Sequence, residues 1–443
     1  DQGGVEGVVN YMNGFIAYCK NTSELIFQDP EDDTDFAQLI FYKLPQAMGT
    51  WECFPIKYKD PDTEKIKFRN PLDMWRNSPR RKNVCGICFD PRPNPSPKYH
   101  NLFQGFDISK EDVEDLDIQE AEEKIQDLLN HILIIWCKRN QEYYDFVINW
   151  FAFILQKPWQ KIGVLLCAKS KEGSGKGIVF DFMRSILGGR LYAQINSLDQ
   201  ILGKNNAILE GRLLINGDEI IWGGNIKDGN ALKGLITEPE VWIEEKYRAK
   251  YKIRNTTAFA FASNEDRALS SREGDRRSFG LELDNRWSGR QKTPEHTKYF
   301  QDISGCSHHG IKREKAEGFA KYLFERDLSN FNVRNPPITE FVSDQIERNW
   351  SPLQKFWYKV LLDGAFTIDK KFMRATPIEY QEGDFTKTRW EPYDENQLIW
   401  GKVDTKYGNG MKEMEIKYLT TDKPIVGYAF VNNDWNDKHI NNL

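Results

Sequence analysis

The sequence predicts an α/β fold with a largely parallel sheet and flanking helices, and three observations carry that prediction. Between residues 161 and 283, short apolar runs alternate with helix-like segments, as in successive βα units. The first apolar run, at 162–168 (IGVLLCA), leads through a glycine-rich loop at 170–177 (SKEGSGKG) into a helix-like segment. Strand, loop and helix in this order are the context that a phosphate-binding loop requires. Two later apolar runs, 213–215 and 257–263, each end in polar side chains.

Length and composition describe an ordinary globular protein. The 443 residues are 40% hydrophobic and 29% charged, with neither a signal peptide nor an apolar run long enough to cross a bilayer. A net charge of −5 argues against a wholly basic surface but leaves room for one basic channel that binds nucleic acid. Seven cysteines in so long a chain favour a reducing compartment. We therefore expect a cytoplasmic protein, in the host cell if the source is viral, with no membrane partner.

Patterning along the chain divides it into five regions. Apolar residues recur at helical spacing over 118–136 and again over 143–155, which predicts two packed helices. Because the chain begins at Asp1 rather than at methionine, we expect it to be part of a longer polypeptide. The predicted regions are an N-terminal part of uncertain fold, a helical segment, the α/β core, a C-terminal helical part and a strand-rich end, at 1–108, 109–157, 158–290, 291–363 and 364–443.

The glycine-rich loop has the composition that phosphate binding needs. Glycines let backbone amides turn toward a polyphosphate, the following helix adds positive potential at its N-terminus, and Lys176 reaches the β- and γ-phosphates. The usual pattern G-x-x-x-x-G-K-[ST] is broken twice, because Ser170 replaces its first glycine and Gly177 replaces the hydroxyl that normally holds magnesium. By itself the loop is equally compatible with an incidental glycine-rich turn. The candidate nucleotide-binding residues are Gly173, Ser174, Gly175, Lys176 and Gly177.

The second and third apolar runs end in candidate catalytic side chains. Asp218 would hold Mg²⁺ directly or through water, and Glu219 would orient and deprotonate the water that attacks ATP. Asn264, at the end of the third run, would sense the γ-phosphate or the water; the alternative is an asparagine that starts a turn. Arg276 and Arg277 follow on a loop and would place a guanidinium on the ATP of a neighbouring subunit, unless they are a surface charge cluster.

A basic stripe lies between the second and third runs. Its cations alternate, so a strand or hairpin would put all of them on one face, where they suit the phosphates of a single DNA strand. Tyr247 and Tyr251 have the opposite parity, and aromatic rings nearby would stack on bases. The solvated face of an edge hairpin is the competing interpretation. The stripe comprises Lys246, Arg248, Lys250, Lys252 and Arg254.

In this order the motifs resemble those of superfamily 3 helicases, the AAA+ class found in viral and plasmid replication proteins. The resemblance is closest to the helicase part of phage and plasmid primase-helicases of the poxvirus type, and it covers about residues 90–350. It implies an AAA+ P-loop ATPase core that forms a ring, usually a hexamer, with ATP and Mg²⁺ between subunits and single-stranded DNA in a central channel. Such proteins often carry a primase or primase-polymerase domain N-terminal to the helicase.

The resemblance assigns a role to each matching residue. Lys176 would bind phosphates, Asp218 with Glu219 would serve Mg²⁺ and water, and Asn264 would be the sensor. Arg277, with Arg276 as its rival, would be the arginine finger, and Lys246 would contact DNA. The departure at Gly177 leaves the magnesium ligand open among Asp218, water and Ser174. Two rival functions also stay open: another P-loop ATPase, clamp-loader-like or packaging, and a DNA-binding replication scaffold without ATPase activity.

Overall fold

The computed structural model describes most of the chain up to residue 350 and four strands beyond it. Contacts divide the chain into two compact units, one of residues 1–269 and 276–342 and the other of 270–275 and 343–443. The described ranges are 4–28, 40–53, 55–59, 65–220, 226–246, 250–264, 276–291, 293–307, 310–348, 350, 365–368, 371–374, 378–382 and 385–389.

The helices and strands follow one another along the chain in a fixed order. Up to residue 156 they are α1 (Gly4–Asn13), β1 (Ile16–Cys19), β2 (Glu24–Phe27), β3 (Ile40–Tyr42), α2 (Leu44–Thr50), β4 (Ile56–Lys59), β5 (Ile66–Arg69), α3 (Pro71–Arg76), β6 (Asn83–Val84), β7 (Ile87–Cys88), β8 (His100–Asn101), α4 (Ile118–His131) and α5 (Gln141–Gln156). The next are β9 (Leu165–Lys169), α6 (Lys176–Leu187), β10 (Tyr192–Ile195), α7 (Asp199–Leu202), β11 (Leu214–Asp218), α8 (Ile226–Thr237), β12 (Glu240–Ile243), β13 (Tyr251–Arg254), β14 (Ala258–Ser263) and β15 (Ser278–Glu282). The last are α9 (Pro294–Ser304), α10 (Arg313–Phe324), α11 (Glu340–Arg348), β16 (Ala365–Ile368), β17 (Lys371–Arg374), β18 (Ile378–Glu382) and β19 (Phe385–Arg389).

A five-stranded sheet lies at the centre of the larger unit, in the order β10-β11-β14-β9-β15, and every neighbouring pair is parallel. Helices cover such sheets on both faces, so their strands are apolar throughout rather than alternating with polar residues. Strand β14 shows this directly, since it alternates alanine with phenylalanine and buries all six of its residues. The sheet confirms the predicted α/β fold with a largely parallel sheet.

The two predicted helices of the segment before the core are present. Helix α4 continues into one π-helical turn, Ile132–Trp136, and α5 follows after a short break. Helix α10 packs against α4, α5 and α6, and their apolar faces join the sheet in one buried core. The indole of Trp150 donates to the carbonyl of Val164 at 3.1 Å, which ties α5 to the chain entering β9. The helical layer therefore fixes where the glycine-rich loop begins.

The N-terminal region, whose fold the sequence left uncertain, has a small sheet and core of its own. Strands β3, β2 and β1 are antiparallel, and β6 adds in parallel beside β1. Met12 of α1, Phe15 and Trp75 of α3 are buried together in one cluster. The indole of Trp75 donates to the side-chain oxygen of Asn13 at 2.8 Å, so this buried polar group has a partner.

In the smaller unit the structure describes two antiparallel hairpins, β16-β17 and β18-β19. Both lie within the end that was predicted to be strand-rich. The sequence Gly408-Asn409-Gly410 predicts a hairpin turn, but these residues lie outside the described part of the chain. Among the helices in the described part of the chain, none combines the length and apolar character that crossing a membrane needs.

Candidate functional site

Sheet topology brings the predicted site residues of three strands together. Strand β14 lies between β11 and β9, with Asp218 opposite Ala262 and Ser263 opposite Lys169. Because all three strands are parallel, their carboxyl ends meet at one edge of the sheet, where ligands of α/β proteins usually bind. The glycine-rich loop, the acidic pair and Asn264 therefore converge, as the sequence predicted.

These residues line an open cleft of about 370 Å³ at that edge. One end carries the lysine, the acids and the asparagine, and an imidazole and a phenyl ring from helix α9 form part of the remaining wall. The cleft is lined by Glu172, Gly173, Ser174, Gly175, Lys176, Gly177, Ile178, Asp218, Glu219, Asn264, His296 and Phe300.

Lys176 is the first residue of α6, and its ammonium group is held inside the cleft. Its Nζ donates to the carbonyls of Ser170 at 2.9 Å and Ser263 at 3.3 Å, and to the side-chain oxygen of Asn264. Burial lowers the pKa of Lys176, while the nearby charges of Asp218 and Glu219 act in the opposite direction. The lysine is thus fixed by the ends of β9 and β14 rather than extended into solvent.

Asn264 also reaches the acidic pair. Its side-chain amide donates to Glu219 Oε1 at 3.3 Å, so one side chain links the lysine to the glutamate. Glu219 has φ of +52°, a left-handed conformation that is uncommon for residues other than glycine and often found at functional sites. Asp218 accepts from Gln194 Nε2 at 3.2 Å. Gln194, on β10, was missed because only the strand order brings it beside Asp218.

The glycines of the loop differ in backbone conformation and in the space around them. Gly173 and Gly175 have φ of +76° and +89°, whereas Gly177 is helical. A Cβ on Gly175 would lie 2.5 Å from His131 Cε1, but one on Gly177 would have nothing within 4 Å. Ser174 is only 1% exposed, and its hydroxyl donates to the Lys171 carbonyl at 2.6 Å. That hydroxyl is already engaged within the loop, which weakens Ser174 as a magnesium ligand.

The arginine pair lies at the opposite edge of the sheet from the cleft. Ser278, directly after Arg277, pairs with Leu165 at the start of β9, and the Arg277 carbonyl accepts from the Leu165 amide at 2.8 Å. The glycine-rich loop begins after the other end of β9, about 15 Å away for a strand of this length. Arg276 and Arg277 therefore do not reach the cleft of their own chain. Arg334 lies beside them, and burial, then their charges, lower its pKa.

The basic stripe forms the hairpin β12-β13 only in part. Lys252 and Arg254 are on the exposed face of β13, but Lys250 precedes the strand and Lys246 is in a turn. Arg248 and Tyr247 lie outside the described residues. The expectation that all five cations share one strand face is therefore not met, because the strand is too short to include Lys246 and Lys250.

Two features of this hairpin differ from expectation. Lys250 and Lys252 pair with Glu244 at 2.6 Å and Glu240 at 2.5 Å, so acids of the same hairpin partly balance its charge. The hydroxyl of Tyr251 donates to the Glu210 carboxylate, which turns this ring toward the body of the protein. Among the described residues of the hairpin, Trp242, opposite Lys252, has a ring that is 59% exposed, and sequence parity did not single it out.

Metal-ligating side chains are sparse in the described structure. Within the ranges given above, no group of three or more His, Cys, Asp or Glu side chains is arranged to hold a metal ion. Cys85 and Cys88 are separated by two residues, a spacing also found in zinc sites. Neither forms a disulfide, and burial raises the pKa of Cys88. Asp218 and Glu219 supply two carboxylates to the cleft.

Fold and site together define an α/β protein with a polar cleft at the carboxyl edge of a five-stranded parallel sheet. A family described only as a family of unknown function (DUF5906) matches residues 168–277, which contain the glycine-rich loop, the acidic pair and the arginines. The DNA primase-polymerase of Nitratiruptor phage NrS-1 is 27% identical over 262 residues, 58% of this chain. The match takes in 33% of that protein, so the chain spans about a third of the length of this relative.

Solved structures of the NrS-1 C-terminal region resemble the chain over most of its length. An A-form apo structure has a TM-score of 0.59 at 18% identity and covers 80% of this chain and 77% of that one. A second apo structure has the same TM-score and identity and covers 82% and 81%. At this level of sequence identity, the likeness shows a similar fold and nothing beyond it.

Proposed function

We propose that this chain is the ATP-driven motor of a phage DNA replication protein, a helicase or translocase with an AAA+ core of the superfamily 3 type. Its likeness in sequence to a protein named DNA primase-polymerase, and in fold to the C-terminal region of that phage protein, supports a role in DNA replication. The contents of the cleft support the ATPase part of the proposal.

The observation that carries the proposal is the chain of contacts from Lys176 through Asn264 to Glu219, with Asp218 in the same cleft. Hydrolysis of ATP needs a cation that binds the phosphates, a carboxylate that activates water, and a polar group that positions the water relative to the phosphates. Lys176 takes the first role, Glu219 the second and Asn264 the third. When a γ-phosphate arrives, Lys176 exchanges its contact with Asn264 for phosphate oxygens, which leaves Asn264 to position the water beside Glu219.

Magnesium fits the cleft as an ion shared with the nucleotide. Mg²⁺ in such sites keeps several waters and is bound by one or two carboxylates together with phosphate oxygens, so it needs no protein cage. Asp218, at the end of β11, is the residue that would hold it. When bound, the ion neutralises charge on the phosphates. Because residue 177 is glycine, no side-chain hydroxyl follows Lys176, and water is the substitute for that ligand.

In this proposal each site is completed by a neighbouring subunit. Since Arg276 and Arg277 lie at the edge of the sheet away from their own cleft, they suit a ring such as a hexamer, in which one subunit presents its arginines to the ATP of the next. Single-stranded DNA in the central channel would contact the hairpin β12-β13 through Lys246, Lys250 and Lys252, with Arg248 as a further candidate.

The test is steady-state ATP hydrolysis with and without single-stranded DNA, on the wild-type protein, Lys176→Ala and Glu219→Gln. Loss of a catalytic base costs about two orders of magnitude or more, so both variants should fall to background. Hydrolysis that survives both changes belongs to a contaminant and favours a DNA-binding scaffold. Hydrolysis that both changes abolish but that DNA never stimulates favours another P-loop ATPase, clamp-loader-like or packaging.

A further inference from the structure

Three side chains from outside the glycine-rich loop contact backbone carbonyl oxygens of the loop. Gln291 Nε2 donates to the Glu172 carbonyl at 3.0 Å. The Nε2 atoms of two histidines contact the next carbonyls: His296 with Gly173 at 3.1 Å, and His131 with Gly175 at 3.0 Å. We call Gln291, His296 and His131 the carbonyl clamp. The three come from the turn before α9, from α9 itself and from the end of α4.

Two of these contacts have a geometric consequence for the amides, because Gln291 and His131 do not line the cleft, whereas His296 does. In a planar trans peptide the C=O of one residue and the N–H of the next point in opposite directions. A carbonyl of Glu172 or Gly175 that faces the clamp therefore turns the following amide toward the cleft. The amides so oriented belong to Gly173 and Lys176.

His131 is the most constrained member of the clamp. It is fully buried, and its Nδ1 lies 3.0 Å from the hydroxyl of Tyr299, whose ring stacks on Trp287 at 4.4 Å. Burial lowers the pKa of His131 to about 4, so the ring is neutral near pH 7 and carries one N–H. A carbonyl only accepts, so Nε2 holds that proton for Gly175 and Nδ1 accepts from Tyr299.

Neighbouring side chains occupy the space around Gly175. A Cβ on Gly175 would lie 2.5 Å from His131 Cε1 and 2.6 Å from Phe300 Cε1, so the glycine and the imidazole occupy adjacent, fully used space. Without its partner, the partly buried Gly175 carbonyl would lose this hydrogen bond, at a cost of about 0.5–1.5 kcal/mol. Rotation of that peptide toward the cleft would relieve the cost and remove the Lys176 amide from the ligand.

We propose that His131, supported by Tyr299, is a positioning residue that acts with Gln291 and His296 to preset the glycine-rich loop for a polyphosphate. The ligand class is the triphosphate of the proposed function, on which this inference rests. Helix α9 and the turn before it supply most of the clamp. Binding affinity therefore depends on His131, which does not line the cleft but fixes the direction of a peptide that does.

The experiment compares two isosteric changes, His131→Gln and His131→Asn, in the full chain. The amide of glutamine reaches the position of Nε2 and can still donate to Gly175, whereas that of asparagine reaches only the position of Nδ1. Calorimetric titration with inorganic tripolyphosphate and with MgATP should give affinities within about threefold of wild type for His131→Gln and weaker by about tenfold for His131→Asn. Hydrogen exchange of the loop amides should accelerate in His131→Asn alone, and KM for ATP should rise more than kcat falls.

Each outcome bears on the inference. Equal affinities and equal loop exchange in the two variants would overturn it. If tripolyphosphate binding follows the predicted order but ATP is never hydrolysed, the clamp stands and the motor proposal falls; if the wild type binds neither ligand, both fall. Should His131→Asn fail to fold, Tyr299→Phe, which removes the supporting hydroxyl, should weaken binding about threefold, and an affinity equal to wild type in that variant would overturn the inference.

Discussion

The cleft and the hairpin β12-β13 are both polar, but their polar groups are held in different ways. At the cleft, the partly buried Lys176 and the fully buried His131 contact backbone carbonyls of the surrounding fold. In the hairpin, Lys250 and Lys252 pair with glutamates of the same hairpin and stay exposed to solvent. The arrangement in the cleft fixes one geometry for a compact anion such as a polyphosphate. The arrangement in the hairpin leaves lysines that can exchange their glutamate partners for the phosphates of an extended anion such as a DNA strand.

The energies agree with this distinction. An exposed ion pair contributes about 0–1 kcal/mol, so a DNA phosphate can replace Glu240 or Glu244 at little cost. A buried donor or acceptor that loses its partner costs about 1–3 kcal/mol. Substitutions in the cleft should therefore have large effects that depend on geometry, and those in the hairpin should have small effects that depend on charge and salt.

The largest expected effect is at Asn264, which joins Lys176 to Glu219. Asn264→Ala should reduce kcat for ATP hydrolysis about a hundredfold, the usual cost of losing one positioned donor at a reacting group. Nucleotide affinity should change much less, because Lys176 keeps the carbonyls of Ser170 and Ser263. Gln194→Ala, which removes only a hydrogen bond to Asp218, is the control and should have a smaller effect on kcat. A kcat equal to wild type in Asn264→Ala would remove Asn264 from the mechanism.

Next comes a pair of glycine substitutions within the loop. Gly175→Ala combines a positive φ with a Cβ that collides with His131 and Phe300, so ATP affinity should fall at least about tenfold. Gly177→Ser enters open space on a helical backbone and should bind ATP within about threefold of wild type. Titration of both variants with MgATP makes the comparison. Equal losses of affinity at the two positions would mean that the loop conformation described above does not govern binding.

A smaller effect concerns pH. The pKa of His131 is about 4 in the folded protein against an ordinary 6.5, so between these values the unfolded chain binds a proton that the folded chain does not. Stability therefore falls as pH drops from about 6.5 to 4, by up to about 1.4 kcal/mol per pH unit for such a group. Urea unfolding at several pH values should show a shallower decline in His131→Gln. His100, whose pKa burial also lowers to about 4, should contribute similarly.

The smallest effect is expected in the hairpin. Replacing Lys246 and Lys250 by glutamine should weaken single-stranded DNA binding about threefold to tenfold. The slope of log K against log salt should become shallower by about 0.7 for each phosphate that the variant no longer neutralises. Stimulation of ATP hydrolysis by DNA should decline in parallel, measured against hydrolysis without DNA. Identical salt slopes in variant and wild type would show that the DNA strand lies elsewhere.

How much the sequence could predict also differs between the two regions. In the cleft, Lys176, Asp218 and Asn264 were found because each follows an apolar run closely, and parallel strands bring such positions to one edge. His131, Gln194 and His296 were missed because their contacts depend on strand order and on helices far along the chain. No local pattern marks a histidine whose partner is a carbonyl 44 residues away.

In the hairpin, the alternating sequence pattern identified the lysines and arginines but not the residues around them. Parity correctly placed Lys252 and Arg254 on one face, yet it could not show that β13 begins only at Tyr251. It also could not reveal that Trp242, on the partner strand, places an exposed ring opposite Lys252, because that depends on the register between β12 and β13. The arginine pair was likewise found as a motif, while its distance from the cleft follows from its place just before β15, at the amino end of a strand parallel to β9.

The central claim is that the cleft at the carboxyl edge of the sheet binds ATP through Lys176. Titration calorimetry of MgATP into the wild-type chain and into Lys176→Ala tests it most directly, with circular dichroism to confirm that both are folded. One site in the wild type and an affinity about a hundredfold weaker in the variant are the predicted result, since the variant lacks a charge-assisted hydrogen bond to the phosphates. Equal binding by the two folded proteins, or no binding by the wild type, would contradict it.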